Sequence, residues 1–582
     1  MKRRRIYFLF FIMILICSFT SFFHFGLPEN SNRKIQKNFT CYLDDLFADW
    51  VSADSITLHY HLANPKQYGI QESSPNLSGS YFSNANDYEK ELDKLHTFSP
   101  FKLNDKQQKL YHILEDYLTR KKNVSEFPLH QTIFSPTTGL QAQLPVTLCE
   151  YPLRTEEDLL IYLQLLEQIP DYFQKLFQIE QEKSSQGLFI CDSILDQILS
   201  QMNTFLKEKE ENPLITTFSD RLKNLSLGSQ KKKLYIKKNK KLILHTVLPA
   251  YRTLMQNLLS LKGTSTNDLG LCYYDRGKEY YCALISSLTG SDKAPKQLIQ
   301  MTEENISSCY KELEEILYLQ PEAYDQFLNS DISKCVPSSE KEILNWLKQN
   351  LPDDFPSSTQ ADYKVKSVPE CLESYVSPAF YMIPSIDASM NNTIYLNKKQ
   401  LSYLSSPYNI LAHEGYPGHL YQTTYFYQHL DHPIHSLCDY DGYVEGWAVY
   451  AENLSYEFLD FGKYSKTVAR LYQINHILNL AIPSRIDLGI HYEGWNRENV
   501  NTFLSTLGLE KEETSMDIFD TILAEPGNYL SYYIGFLEIL SLEQDYNIST
   551  KKNNKNNHFY QHFLSTGPCD FSYLEKLLTS ES

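Results

Sequence analysis

His413 and His419 stand six residues apart with Pro417-Gly418 between them. If both imidazoles serve one purpose, no continuous α-helix can run through the segment. Residues four apart on a helix differ by about 40° and share a face, whereas residues six apart point roughly 120° away from each other. The residue four after His413 is Pro417, which removes a backbone donor and pushes Tyr416 out of the helical region. Gly418 can take almost any backbone conformation. Pro-Gly therefore predicts a broken turn that swings His419 back toward His413.

Converging imidazoles beside a glutamate are the parts of a zinc site. His413 and His419 are expected to act as neutral imidazole ligands of Zn2+. Glu414, pointing away from its neighbour's metal-facing direction, is the candidate base for an attacking water. Glu445 follows 26 residues after His419, enough for a helix, a connection and a return, and is the natural third ligand. Asp441, Glu445 and Glu452 share one face of a helix expected over 442–458, so Glu452 or Asp441 could orient a ligand histidine. A Pro-Gly turn that merely joins two helices is the plainer alternative. The adjacent glutamate and the second acidic motif weigh against it.

The 582-residue chain is 42% apolar and can bury a large core. A net charge of −17 without an acidic tail argues against nucleic acid as a partner. The basic run from Lys231 to Lys241 is expected to be a solvated face. Lys2-Arg3-Arg4-Arg5 precedes an apolar run from Ile6 to about Phe23, close to the length that crosses a bilayer. Residues 1–29 are thus expected to be an N-terminal signal anchor, or a signal peptide, that places the rest of the chain outside the cell. Cys17 invites a lipid anchor, but Ile16 stands where such signals need a small residue. Ten further cysteines permit disulfides, and none forms a C-x-x-C pair.

Along the chain, 30–38 is polar and is expected to be a tether. Apolar residues recur at a helical period in 105–119, and Thr155 caps the acidic first turn of a helix over 155–180 that Pro170 kinks or splits. Further helices are expected over 192–209, 242–261, 277–288, 296–319 and 339–349. The predicted organisation is a helical region over 30–350, a boundary near 351–360 rich in Pro, Ser and Asp, and a catalytic region over 351–582. Residues 378–384 and 392–397 are short and β-prone, fit for a hairpin or small sheet whose edge could hold an extended peptide. The predicted fold class is mainly α with a small β-ribbon next to the metal helix.

The motifs together resemble the bacterial family known as domain of unknown function 885, grouped with the gluzincin metallopeptidases and distantly similar to thermostable carboxypeptidases. His413, Glu414, Pro417, Gly418, His419 and Gln422 match its first motif, and Glu445-Gly446-Trp447-Ala448 with Tyr450, Ala451 and Glu452 its second. Asp487, Gly489, Ile490, His491, Gly494 and Trp495 resemble a later block, and Pro526-Gly527, Ser531, Tyr532 and Gly535 another. Leu420 replaces a common histidine, Asn528 a usual glutamine, and Arg485 sits out of register with the family's arginine.

The resemblance implies a multi-helix gluzincin-like metallopeptidase. His413, His419 and Glu445 would hold Zn2+ with Glu414 as the base. His491 and Tyr532, with Tyr533 a rival for the latter, would donate to the developing oxyanion. Arg485 is a candidate for a substrate carboxylate. The expected function is hydrolysis of short peptides, or of another small amide or ester, outside the cell. The alternative is a non-catalytic surface protein built on the same scaffold.

Overall fold

The computed structural model describes residues 29–72, 74–78, 84–357, 362–370, 373, 376–509, 512–553 and 558–581. The expected membrane or signal segment lies outside them. Among the described residues no helix is long and apolar enough to cross a membrane. The chain is mainly helical with one small sheet.

Helix α1 spans Glu29–Val51, so 30–38 is helical and not a tether. No Pro or Gly interrupts it, and the buried stripe Phe39, Leu43, Leu46 and Phe47 carries it onto the core. Asn104 caps α2, Asp105–Ser125. Helix α3, Glu156–Ser185, starts in a capping box between Thr155 and Asp158. It runs through Pro170 without splitting, because Leu166, Ile169, Phe173 and Leu176 on both sides of the proline are buried in one core. The basic run lies on a helix over Ser229–Leu242 and is largely exposed. Helices α4, Leu248–Leu259, α5, Gly277–Thr289, and α6, Pro295–Leu319, are among those that follow.

Three strands follow, β1, Tyr363–Ser367, β2, Ala379–Met382, and β3, Asn392–Leu396, in the order β1-β3-β2. β2 and β3 pair antiparallel as expected, with Tyr381 opposite Ile394. β1, which the sequence did not announce, adds parallel to β3. Helices α7, Tyr408–Glu414, and α8, His419–Gln428, flank the broken turn. The site is completed by α9, Asp441–Ser455, α10, Ser465–Leu488, and α11, Asn528–Asn553.

Two clusters of buried apolar side chains form the core. One gathers Ile133 to Leu258 around α3 and α4, with Val368, Tyr395 and Ala524 added. The other joins α1, α2, α5 and α6 to nearly everything after Ala379. The expected boundary at 351–360 therefore does not separate the cores. Phe355 from that stretch stacks on Tyr560 at 3.9 Å between ring centroids and packs beside Trp447. One buried aromatic ring outweighs the polar composition around it. Among the described residues eight cysteines besides Cys149 are free thiols, and Cys17 and Cys371 lie outside them.

Candidate metal centre

The turn between α7 and α8 is built from close backbone contacts. Gly418 N–H donates to the Ala412 carbonyl at 3.0 Å, and Tyr421 N–H donates to the Gly415 carbonyl at 3.2 Å. The Tyr416–Pro417 bond is cis. A Cβ on residue 418 would lie 1.7 Å from the His413 carbonyl oxygen, so only glycine permits the approach. From the far side, the Trp447 indole N–H donates to the Pro417 carbonyl at 2.9 Å, tying the turn to α9. Helix α9 in turn lies hard against α11, where a Cβ at Gly446 would meet the Gly535 backbone at 2.4 Å. The glycines of three matched motifs thus set the distances between the turn, α9 and α11.

The consequence is convergence. The His413 and His419 rings sit 4.8 Å apart and perpendicular at 88°. Glu445 Oε2 lies 3.5 Å from His413 Nε2 and 3.4 Å from His419 Nε2. One ligand atom from each of the three residues falls within 4.8 Å of the others. Glu445 Oε2 is buried and makes no hydrogen bond among the described residues. Four donors placed tetrahedrally at zinc's usual bond length of about 2.0–2.1 Å stand about 3.3 Å apart. The two edges from Glu445 have that length, and a buried carboxylate oxygen that faces two imidazoles without a hydrogen bond is a costly arrangement unless a cation completes it. The donor types and the two Glu445 edges are those one tetrahedral cation of zinc's size takes, and the imidazole–imidazole edge, within 4.8 Å, closes by a small movement of either ring.

A second layer holds the ligands. Glu452 Oε2 approaches His413 Nδ1 at 3.6 Å and its other oxygen approaches His476 Nε2 at 3.3 Å. Of the two acids, Glu452 is the one placed to orient His413, and Asp441 is not. His476, from α10, was missed because nothing near it in sequence marks it: it lies 24 residues after Glu452 on another helix.

Electrostatics follow from burial and these neighbours. Burial alone would depress the His413 imidazole, but Glu445 and Glu452 outweigh it and raise it well above its ordinary value. Burial would raise the Glu445 carboxyl, yet His419 and His413 hold it well below the usual carboxylate range. Glu452 is lowered in the same way against its burial, by His476 and His413. Glu414 goes the other way. Its burial raises it despite His413 and His419 nearby. Its Oε2 accepts the Tyr381 N–H at 2.7 Å, so the outer edge of β2 faces the centre.

The late candidates divide. Tyr532 stacks on His413 with ring centroids 6.5 Å apart, its hydroxyl raised by burial and then by the charges of Glu445 and Glu414. Tyr533 is fully buried and donates to Asn305 Oδ1 at 2.9 Å, which removes it as a rival. His491 is corrected. Its Nδ1 accepts the Leu271 N–H at 3.2 Å and its Nε2 donates to the Ile522 carbonyl at 3.0 Å, leaving no ring N–H for an oxyanion. Arg485 is likewise spent, paired at 2.8 Å with both Glu303 and Glu493 and lying over the Trp495 ring. With His491, buried Asp487 clamps the connection into α11 by accepting the Gly527 N–H at 2.8 Å. Both act on the fold around Tyr532.

Comparison with known proteins places this geometry in context. No curated protein matches the chain. A crystal structure of a candidate lipoprotein from Colwellia psychrerythraea is similar in fold, with a TM-score of 0.76 at 18% identity over 95% of this chain and 99% of that one. A candidate lipoprotein of unknown function from Shewanella oneidensis is similar with a TM-score of 0.61 at 16% identity, over 92% of this chain and 98% of that one. The family model described as bacterial protein of unknown function (DUF885) matches residues 69–578, from ahead of α2 to the last helix, and the chain belongs to that family.

Proposed function

We propose that the chain is a zinc-dependent hydrolase of gluzincin type acting on peptide or similar small amide bonds. The observation that carries this reading is the buried Glu445 Oε2, which makes no hydrogen bond and is set 3.4 and 3.5 Å from two imidazole nitrogens, with Glu414 adjacent in sequence to one of them. His413, His419 and Glu445 would hold the ion, leaving a fourth position open as in catalytic sites. When bound, zinc lowers the pKa of water and polarises a carbonyl.

The chain's own residues account for the rest. Tyr381 N–H holds one oxygen of Glu414, which fixes the carboxylate and leaves the other oxygen for the attacking water. A buried carboxyl with a raised pKa retains the proton it takes and can hand it to the departing nitrogen. Tyr532 keeps its phenolic proton at neutral pH and can donate it to the oxygen on which charge develops. The edge of β2 offers main-chain groups to an extended substrate.

Export and attachment at the membrane surface fit the basic-apolar N-terminus and the lipoprotein descriptions of both fold neighbours. The test is paired. Purified protein should carry about one zinc per chain and hydrolyse short peptides in a chelator-sensitive way. Glu414→Gln should keep the metal and lose hydrolysis. Turnover that survives Glu414→Gln, or protein that takes up no zinc, refutes the reading.

A further inference from the structure

Beside the candidate metal centre lies a cavity of about 310 Å³, at the lower end of the roughly 300–1,000 Å³ that small-ligand sites occupy. The same helices build both. Asp441 opens α9 one turn ahead of Glu445, and Asn528 and Ser531 stand on the first turn of α11 next to Tyr532. Tyr280, Leu284 and Leu288 of α5 form the apolar wall.

Three carboxylates lie on this side, and two already have partners. Glu525 accepts from Ser135 Oγ at 2.7 Å and from the Thr137 and Thr138 N–H groups at 3.1 and 3.0 Å. Asp439 accepts the Tyr117 hydroxyl at 2.6 Å and has the Lys121 ammonium at 3.5 Å. The Asp441 carboxylate has neither hydrogen bond nor ion pair among the described residues, and it is exposed where it lines the cavity. No lysine or arginine is among the described residues lining the cavity. The nearby Lys121 ammonium is felt by Asp441 but is paired with Asp439 at 3.5 Å, so a substrate carboxylate finds no unpaired counter-charge in the lining, whereas a cation finds an anion without a contact partner.

We infer that this cavity is an amine-binding subsite in which Asp441 holds a primary ammonium of the substrate. The inference rests on the hydrolase reading for its position relative to the bond attacked. Side chains four apart on a helix have Cβ atoms about 5–6 Å apart, between one and two residues of extended peptide at roughly 3.3–3.6 Å each. The ammonium is therefore either the peptide's own N-terminus, one or two residues before the attacked carbonyl, or a lysine side chain there.

The test is calorimetric binding to the full chain carrying Glu414→Gln, which holds turnover down. Three probes are compared at neutral pH: Ala-Ala-Ala amide, its N-acetyl form, and N-acetyl-Lys-Ala-Ala amide. At least one of the two amine-bearing probes should bind roughly 10- to 100-fold more tightly than the acetylated alanine peptide, the range of a charge-assisted contact. Adding Asp441→Asn should abolish that preference. Recovery of affinity by the lysine probe assigns the ammonium to a side chain, and its failure assigns it to the N-terminus. Equal binding of all three probes overturns the inference without any substitution at 441, as does a preference that survives Asp441→Asn. Binding of none of the three also overturns it, while zinc content of the same sample reports separately on the metal centre.

Discussion

Replacing Gly418 with alanine adds one methyl group at the point where the turn is tightest. Its backbone φ of −72° lies outside the left-handed region, and contact sets a penalty of its own. The new Cβ would lie 1.7 Å from the His413 carbonyl oxygen and 2.4 Å from that of Ala412, where real Cβ contacts essentially never fall below 3.0 Å. The backbone at 412–413 and the start of α8 must separate by about 1.3 Å to restore that limit. Metal–ligand distances tolerate only about 0.2 Å, so the shift is several times what the site can absorb. Overpacking of this kind costs about 1–3 kcal/mol of stability, which a chain with so large a core survives. Zinc affinity should fall by at least about 100-fold, beyond the 10- to 100-fold typical of losing an outer partner. The assay is competition with a chromogenic chelator, alongside thermal melting. Gly228→Ala is the control, since a Cβ there meets nothing within 4 Å. A folded Gly418→Ala protein that binds zinc as tightly as the parent refutes the geometric argument.

Other substitutions separate the remaining roles. Glu452→Gln weakens the hold on His413 and should lower zinc affinity about 10- to 100-fold while leaving the melting profile close to wild type, checked by the same competition. Tyr532→Phe should cut kcat by about 100-fold or more with little change in zinc content, measured by steady-state kinetics on a short peptide. Asp487 is pushed up to about 7 by its burial, against opposing hydrogen bonds from Tyr281 and Gly527. The fold favours its neutral form, so its contribution is full below about pH 4 and is lost as pH rises toward 7. The stability difference between wild type and Asp487→Asn should therefore move on the order of 4 kcal/mol toward the variant between pH 4 and pH 8, read by denaturant titration. A pH-independent difference would contradict this.

Legibility in the sequence followed locality. The broken turn is readable because Pro417 and Gly418 state it directly, and the helix starts at Thr155 and Ser339 because capping side chains act within four residues. Glu445 is readable because one helix-and-return separates it from His419. What depends on packing across the chain is not. His491 looks reactive in sequence, but two distant backbone groups, from Leu271 and Ile522, use up its ring. Arg485 looks free, yet Glu303 and Glu493 neutralise it. His476 carries no local mark, and its place beside Glu452 arises only when α9 and α10 pack. The stretch at 351–360 has a linker's composition, and among its described residues Phe355 stacks on Tyr560 while the Pro356 carbonyl accepts the Tyr421 hydroxyl at 2.5 Å.

The most direct test is a crystal structure of the protein grown with zinc, with anomalous diffraction collected on both sides of the zinc absorption edge. One zinc peak per chain, about 2.0–2.2 Å from His413 Nε2, His419 Nε2 and a Glu445 carboxylate oxygen, is the predicted result. A chain with no peak among those three side chains, their atoms still 3.4 to 3.5 Å apart around nothing, would contradict the account at its centre.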